Sequence, residues 1–280
     1  VALGVALCGS LAFAEEPQSP RERLEAFNAR IATELKTRNP DAALMFSKAD
    51  EARDEGQLET AAFLYARVRE MEPGFAHASR RLCLSLLALE RRDEAVEVCR
   101  DAVALEESSE NLAALALSLA RSTRTTAATP DQLEEAERLA ERASNDQPDD
   151  FFSQTVLCEV AMIRFNLDHL RICTEHLERI APEEVVTAYF ATILAIGEER
   201  QVEALEYLAR ARELGMPEET YDYLSSAIGR VSAEKVGLSK PRGPSPAQVG
   251  AVVVLHLAVI ALVWGGLRRR ALRRASRSEG

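Results

Sequence analysis

The sequence predicts an all-α chain, a solenoid of about five helical hairpins over residues 42–217 followed by one C-terminal transmembrane helix. Two observations predict it. Three independent residue markers recur with one common period near 34, and a 19-residue run, Val249 to Leu267, carries no formally charged residue.

Taken in order, "VALGVALCGSLAFAEE" is an apolar run that ends in Ala12, Phe13 and Ala14 before two acids. Residues 1–14 read as a secretory signal with a small-x-small cleavage site. The chain starts at Val1, so the basic flank of the signal is expected upstream of it. Cys8 does not make a lipoprotein site, because Leu7 stands where a small residue is needed. Residues 15–41 then read as an N-terminal capping helix. Ser19, Pro20 and Glu22 form a capping-box start with proline at the first helical position. Leu24, Phe27, Ile31 and Leu35 fall on one face, predicted to cover the first repeat.

The first marker runs Ala61, Ala95, Ala136, Leu170, Ala204, in steps of 34, 41, 34 and 34. Ala49, Cys83, Leu117, Cys158 and Thr192 keep the same register, as do Val68, Ala102, Ala143, Leu177 and Ala211. Pro148 and Pro182 close two successive units. Two antiparallel helices with small residues where they cross and a proline-type terminator make a unit that resembles the tetratricopeptide repeat family. The resemblance implies a right-handed solenoid whose first helices line a concave, partner-binding surface. Leu170 in place of alanine and Glu107 in place of proline depart from the family pattern. Such repeats serve many partners, so the resemblance implies architecture more firmly than ligand.

The seven extra residues of the long step fall between the helices of the third unit, where Thr129, Pro130 and Gln132 restart a helix. That polar loop reads either as a contact site or as a tolerated insertion. Residues 218–230 read as a closing helix. Residues 231–248, with Pro241, Pro244 and Pro246, read as a semi-stiff linker. Residues 249–267 are long enough for one membrane crossing, with Trp264 near one interface. His256 inside that run reads as a neutral ring contacting another helix or the interface. The tail 268–280 holds six arginines and one glutamate and is expected on the cytoplasmic side. Signal and tail together predict a single-pass inner (plasma) membrane protein with its repeats on the periplasmic or extracytoplasmic face.

The chain's formal charge is −11, and removing the tail's +5 leaves −16 for residues 1–267. An acidic body of this kind argues against nucleic acid as a partner. No glycine-rich phosphate loop, paired-histidine zinc motif, calcium loop or nucleophile elbow occurs. No catalytic residue, cofactor or metal is therefore assigned. His169, Cys173 and His176 share a helix face with Cys158 opposite, but the spacing follows no recognised zinc pattern.

Four cysteines follow the signal. Cys83 and Cys99 straddle one predicted turn almost symmetrically, and Cys158 and Cys173 straddle another. In an oxidising compartment each pair would staple its hairpin; otherwise the four are small buried hydrophobes. Projected onto the concave surface, His77, Arg80, Arg81, Asn111 and Arg121 make a basic half. Phe152, Val156, Met162, Tyr189, Phe190 and Ile193 make an apolar one, unless these side chains simply pack between repeats. Such a groove would suit a peptide with an acidic and an apolar portion. The lysine and asparagine constellation by which some members of the family clamp a C-terminal carboxylate is absent. The expected function is a membrane-anchored adaptor that binds a protein partner in the cell envelope. The alternatives are the recognition arm of a membrane enzyme whose catalytic domain follows the tail, and a cytosolic tail-anchored protein.

Overall fold

The computed structural model describes residues 20–235, which fold into twelve α-helices. The predicted signal, most of the linker, the apolar run 249–267 and the basic tail lie outside the described residues. Among the described residues no helix is long and apolar enough to cross a membrane. Helix α1 spans Pro20–Arg38 and α12 spans Glu218–Lys235. Between them stand five hairpins: α2 (Pro40–Asp54) with α3 (Leu58–Met71), α4 (Ala76–Ala88) with α5 (Arg92–Leu105), and α6 (Ser109–Ala120) with α7 (Pro130–Asp146). The last two pair α8 (Phe151–Arg164) with α9 (Leu167–Ile180), and α10 (Val185–Gly197) with α11 (Gln201–Glu213).

Two boundaries differ from those read in the sequence. Asn39 separates α1 from α2 in extended backbone, and its side chain accepts the amide of Ala42 at 3.1 Å. Pro40 and Asp41 therefore belong to the first hairpin, since proline suits a first helical turn and the asparagine cap ends the preceding helix. At the other end α12 continues five residues past Arg230 into the span read as linker.

All fifteen marker positions are buried, none more than 5% exposed. Where a leucine occupies one of a hairpin's first two markers, the other is alanine or cysteine: Leu117 with Ala136, Leu170 with Cys158. Pairing a large with a small residue near the crossing keeps the helices close without overpacking.

The turns inside the hairpins share one backbone device. Gly56, Glu90, Phe165 and Glu199 occupy equivalent places and have φ of +79°, +61°, +56° and +59°. In each turn this residue's amide returns to the carbonyl three back, and the next amide to the carbonyl five back, as Asn166 does to Ala161 O at 2.8 Å. This left-handed helix ending suits glycine and strains other residues. The third hairpin lacks it, because the insertion occupies that place. There the predicted capping box forms, with Thr129 and Gln132 each bonding the other's backbone.

Phe165 bears the strained conformation with its side chain 90% exposed. Phe165→Gly should therefore raise unfolding free energy by about 1 kcal/mol in urea titration, the left-handed strain relieved exceeding the added chain entropy. A loss of stability would mean that the aromatic ring makes contacts of its own.

Candidate functional site

The first helices of the hairpins line one side of the array, where α4 touches α6, α6 touches α8 and α8 touches α10. The second helices make no comparable contact with one another, so the first helices form the inner, concave side. That side is not open. Helix α1 packs on α2 and reaches along the groove: Asn28 Oδ1 accepts Arg81 Nη2 of α4 at 2.7 Å, and Arg23 Nη2 lies 3.5 Å from Ile180 O at the end of α9. A cap on the first repeat alone was expected. A 19-residue helix is about 28 Å long, enough to span several repeats, and α1 uses that length across the concave side.

This placement buries the basic half of the predicted groove. His77, Arg80 and Arg81 are 8%, 5% and 6% exposed. Phe27 is the contact that covers them. Its ring meets His77 edge-on at 5.8 Å, and the guanidiniums of Arg30 and Arg80 each lie 5.2 Å from its centroid. Arg80 Nη2 lies 3.5 Å from His77 Nδ1, and its Nε has no hydrogen-bond partner. No described carboxylate pairs with Arg80, although Glu110, Asp150 and Glu106 act on its charge through space. Arg81 is held between Asn28 and Asp50, its Nε 3.9 Å from Asp50 Oδ1. Asp50 is shared with Tyr65 Oη at 2.5 Å and Arg53 Nη1 at 3.0 Å. Burial lowers Arg81 to about 9, with the neighbouring Arg53 charge adding to it and Asp50 opposing. A cleft of about 460 Å³ remains open beside α1, lined among others by Arg30, Glu34, Arg38, His77 and Glu106.

The other predicted groove residues divide in two. Asn111 is fully buried and donates to Ala102 O and Glu106 O at 3.3 and 2.8 Å, closing the turn between α5 and α6. Arg121 forms a buried two-pronged pair with Glu159, at 2.5 and 2.9 Å, tying the third hairpin to the fourth. Val156, Tyr189 and Phe190 are 1%, 4% and 1% exposed and belong to the core. They face inward because the hairpins pack through both sides of their first helices. Only Phe152, Met162 and Ile193 stay half-buried and reachable.

The cysteines meet as their spacing suggests. Cys83 and Cys99 have their sulfurs 1.96 Å apart, and Cys158 and Cys173 have theirs 2.01 Å apart. The two histidines do not join them: His169 faces Glu137 at 3.2 Å and His176 lies 3.3 Å from Pro148 O. Among the described residues no group of three His, Cys, Asp or Glu side chains is arranged to hold a metal. Reasoning from sequence missed the roles of Phe27, Asn28 and Asp50. The available signal was the apolar face of α1, which runs from Leu24 to Leu35, about three turns.

No protein-family model and no curated protein matches the chain. Among solved structures, TTC0263, a thermophilic tetratricopeptide repeat protein in Thermus thermophilus, is similar at 17% identity with a TM-score of 0.57, over 67% of this chain and 98% of that one. A tetratricopeptide repeat protein from Parabacteroides merdae ATCC 43184 is similar at 12% identity with a TM-score of 0.54, over 74% and 80%. The fold is thus that of a tetratricopeptide repeat solenoid. YrrB, described as a tetratricopeptide repeat protein with an unusual peptide-binding site, aligns at 18% identity over 70% of this chain and 97% of that one, with a TM-score of 0.46.

His77 supplies a test of this burial. Burial first, then the charges of Arg80, Arg81, Arg30 and Arg38, push its pKa from 6.5 down to about 3. The folded chain keeps the ring neutral where the unfolded chain takes up a proton. The resulting stability is complete above pH 6.5 and is lost as pH falls toward 3, by at most about 1.4 kcal/mol per pH unit. Urea midpoints should fall between about pH 7 and about pH 5.5, and His77→Gln should flatten that fall. An unchanged slope in the variant would assign it to another group.

Proposed function

We propose that this chain is a non-enzymatic scaffold that binds a protein partner through the concave side of its tetratricopeptide array, held to the outer face of a membrane by its C-terminal apolar run. The observation that carries the binding half is the row His77, Arg80 and Arg81 on α4. It sets two buried guanidiniums beside a neutral imidazole on the face where helices of one hairpin after another converge. Buried charge is costly and contributes little to stability unless it is well paired, so a row of this kind is better explained by recognition than by packing. The anchoring half is supported by sequence: a signal-like start, a 19-residue uncharged run and an arginine-rich end with opposite topological demands on the two sides of a membrane.

The paired cysteines support export. They recur in the second and fourth hairpins, Cys83 and Cys158 at the same marker and their partners one residue out of register, with sequence separations of 16 and 15. Bridges of this kind persist in oxidising compartments and are rare in the cytosol. Closing a loop of that size is worth about 3 kcal/mol in the chain-entropy account.

Alkylation under denaturing conditions followed by peptide mapping tests the topology. Protein taken from membranes should yield Cys83 linked to Cys99 and Cys158 linked to Cys173, and Cys158→Ser with Cys173→Ser should lose about 3 kcal/mol of stability only under non-reducing conditions. Four free thiols, or an inactive alkaline phosphatase fusion after Gly215, would overturn export and return the array to the cytosolic side.

A further inference from the structure

Helix α1 meets α4 through a few side chains, Phe27 on His77 and Arg80 and Asn28 on Arg81, and none of them matches the arginines in charge. Arg80 and Arg81 are both buried, and neither receives a carboxylate from the helix that covers them. Arg80 receives the face of Phe27, and Arg81 receives the neutral amide oxygen of Asn28, its one nearby carboxylate being Asp50 of α2 at 3.9 Å, which Tyr65 and Arg53 already share. The Nε atoms of both arginines have no hydrogen-bond partner. A guanidinium taken out of water regains its lost solvation best from a two-pronged carboxylate. The same array shows what that match looks like, since buried Arg121 has both oxygens of Glu159 at 2.5 and 2.9 Å. The acids Glu22, Glu25 and Glu34 of α1 lie at other positions along the helix, and Glu34 pairs with Arg38 at 2.7 Å.

We infer that α1 is a replaceable occupant of the concave groove, and that the partner displacing it is an amphipathic helix with carboxylates where α1 carries Phe27 and Asn28. The inference rests on the adaptor reading above and specifies the chemistry of its partner. The partner helix keeps the apolar positions that α1 uses at Ile31 and Leu35, which are 1% and 0% exposed. It adds acids opposite Arg80 and Arg81. The cleft beside α1, walled by Arg30, Arg38 and His77, gives an incoming acidic segment its first contact before α1 leaves. Glu34 and Glu106 also line that cleft and Glu34 pairs with Arg38, so entry depends on Arg30 more than on a broad positive field.

The test uses the full-length protein and two fluorescein-labelled synthetic peptides with the sequence of residues 20–38, one native and one with Phe27→Glu and Asn28→Glu. In anisotropy titrations at low salt the acidic peptide should bind at least ten-fold more tightly than the native one. Hydrogen exchange should show the protein's own α1 amides losing protection as it binds. Equal affinities, or binding that leaves α1 protected, would overturn the inference. A measurement in cis needs no peptide: Asn28→Asp gives Arg81 a carboxylate at hydrogen-bond distance in addition to the more distant Asp50 and should raise the urea midpoint, whereas a lowered or unchanged midpoint would mean that Asp50 and Asn28 already satisfy Arg81. Photo-crosslinking in cells separates this inference from the adaptor reading. A partner captured less by the Asn28→Asp chain than by the wild type fits displacement. A partner captured equally by both leaves the adaptor standing and removes the displaced helix, and capture by neither removes both.

Discussion

The close crossing of the two helices in each hairpin is the constraint on which everything else in this array depends. Ala61, Ala95, Ala136 and Ala204 have no exposed surface, and at these points one helix rests almost directly on the backbone of the other. Bringing the axes that near fixes the angle at which each hairpin leaves its neighbour, and so the curvature accumulated over five units. The fourth hairpin shows how narrow the tolerance is. Leu170 takes the alanine position, and the marker on the first helix of the same hairpin is the small Cys158, bonded to Cys173 three residues beyond Leu170. A repeat architecture needs no long-range contacts to specify this, which is why degenerate units with little else in common keep the register.

The insertion in the third hairpin shows what the array does when its standard turn is lost. Helix α6 ends without the left-handed residue that elsewhere returns two amides to the preceding carbonyls. Its last carbonyls would be left without donors. Arg92, at the start of α5 and 2% exposed, supplies them from the neighbouring hairpin, donating to Leu119 O and Arg121 O at 2.7 Å each. The same guanidinium reaches Gln132 Oε1 at 2.9 Å, and that oxygen also accepts the amide of Thr129 where α7 begins. One side chain therefore ties both ends of the extra loop to the previous unit. The loop lengthens the hairpin without loosening it.

The repeat register, the five hairpins, the capping box at Thr129 and the meeting of the cysteine pairs were all legible in the sequence, because each depends on local spacing or on a period that repeats. The groove was less so. Projecting residues onto an inner face identified His77, Arg80 and Arg81 as neighbours, yet gave no means of telling a buried side chain from an open one. Val156 and Phe190 look like Phe152 and Ile193 in a helical projection. What separates them is the depth of the next hairpin, which depends on packing across units. The position of α1 was hidden for a related reason. Its apolar stripe announces that it packs, but the face it packs against is chosen by contacts with residues far along the chain, Arg81 and Ile180, which no local period encodes.

A covering helix with neutral contacts has an energetic logic that a better-paired one would lose. Carboxylates opposite Arg80 and Arg81 would make α1 a permanent part of the core, as Glu159 does for Arg121. Phe27 and Asn28 instead exclude water from the arginines while leaving much of their electrostatic potential unspent. The acidic body of the protein bears on the same point. With −16 on residues 1–267, long-range forces repel an acidic partner, and salt screens charges separated by more than about 10 Å. Selection then rests on contacts made within the groove, where burial strengthens each charge pair and a mismatched helix gains nothing to offset the loss of α1.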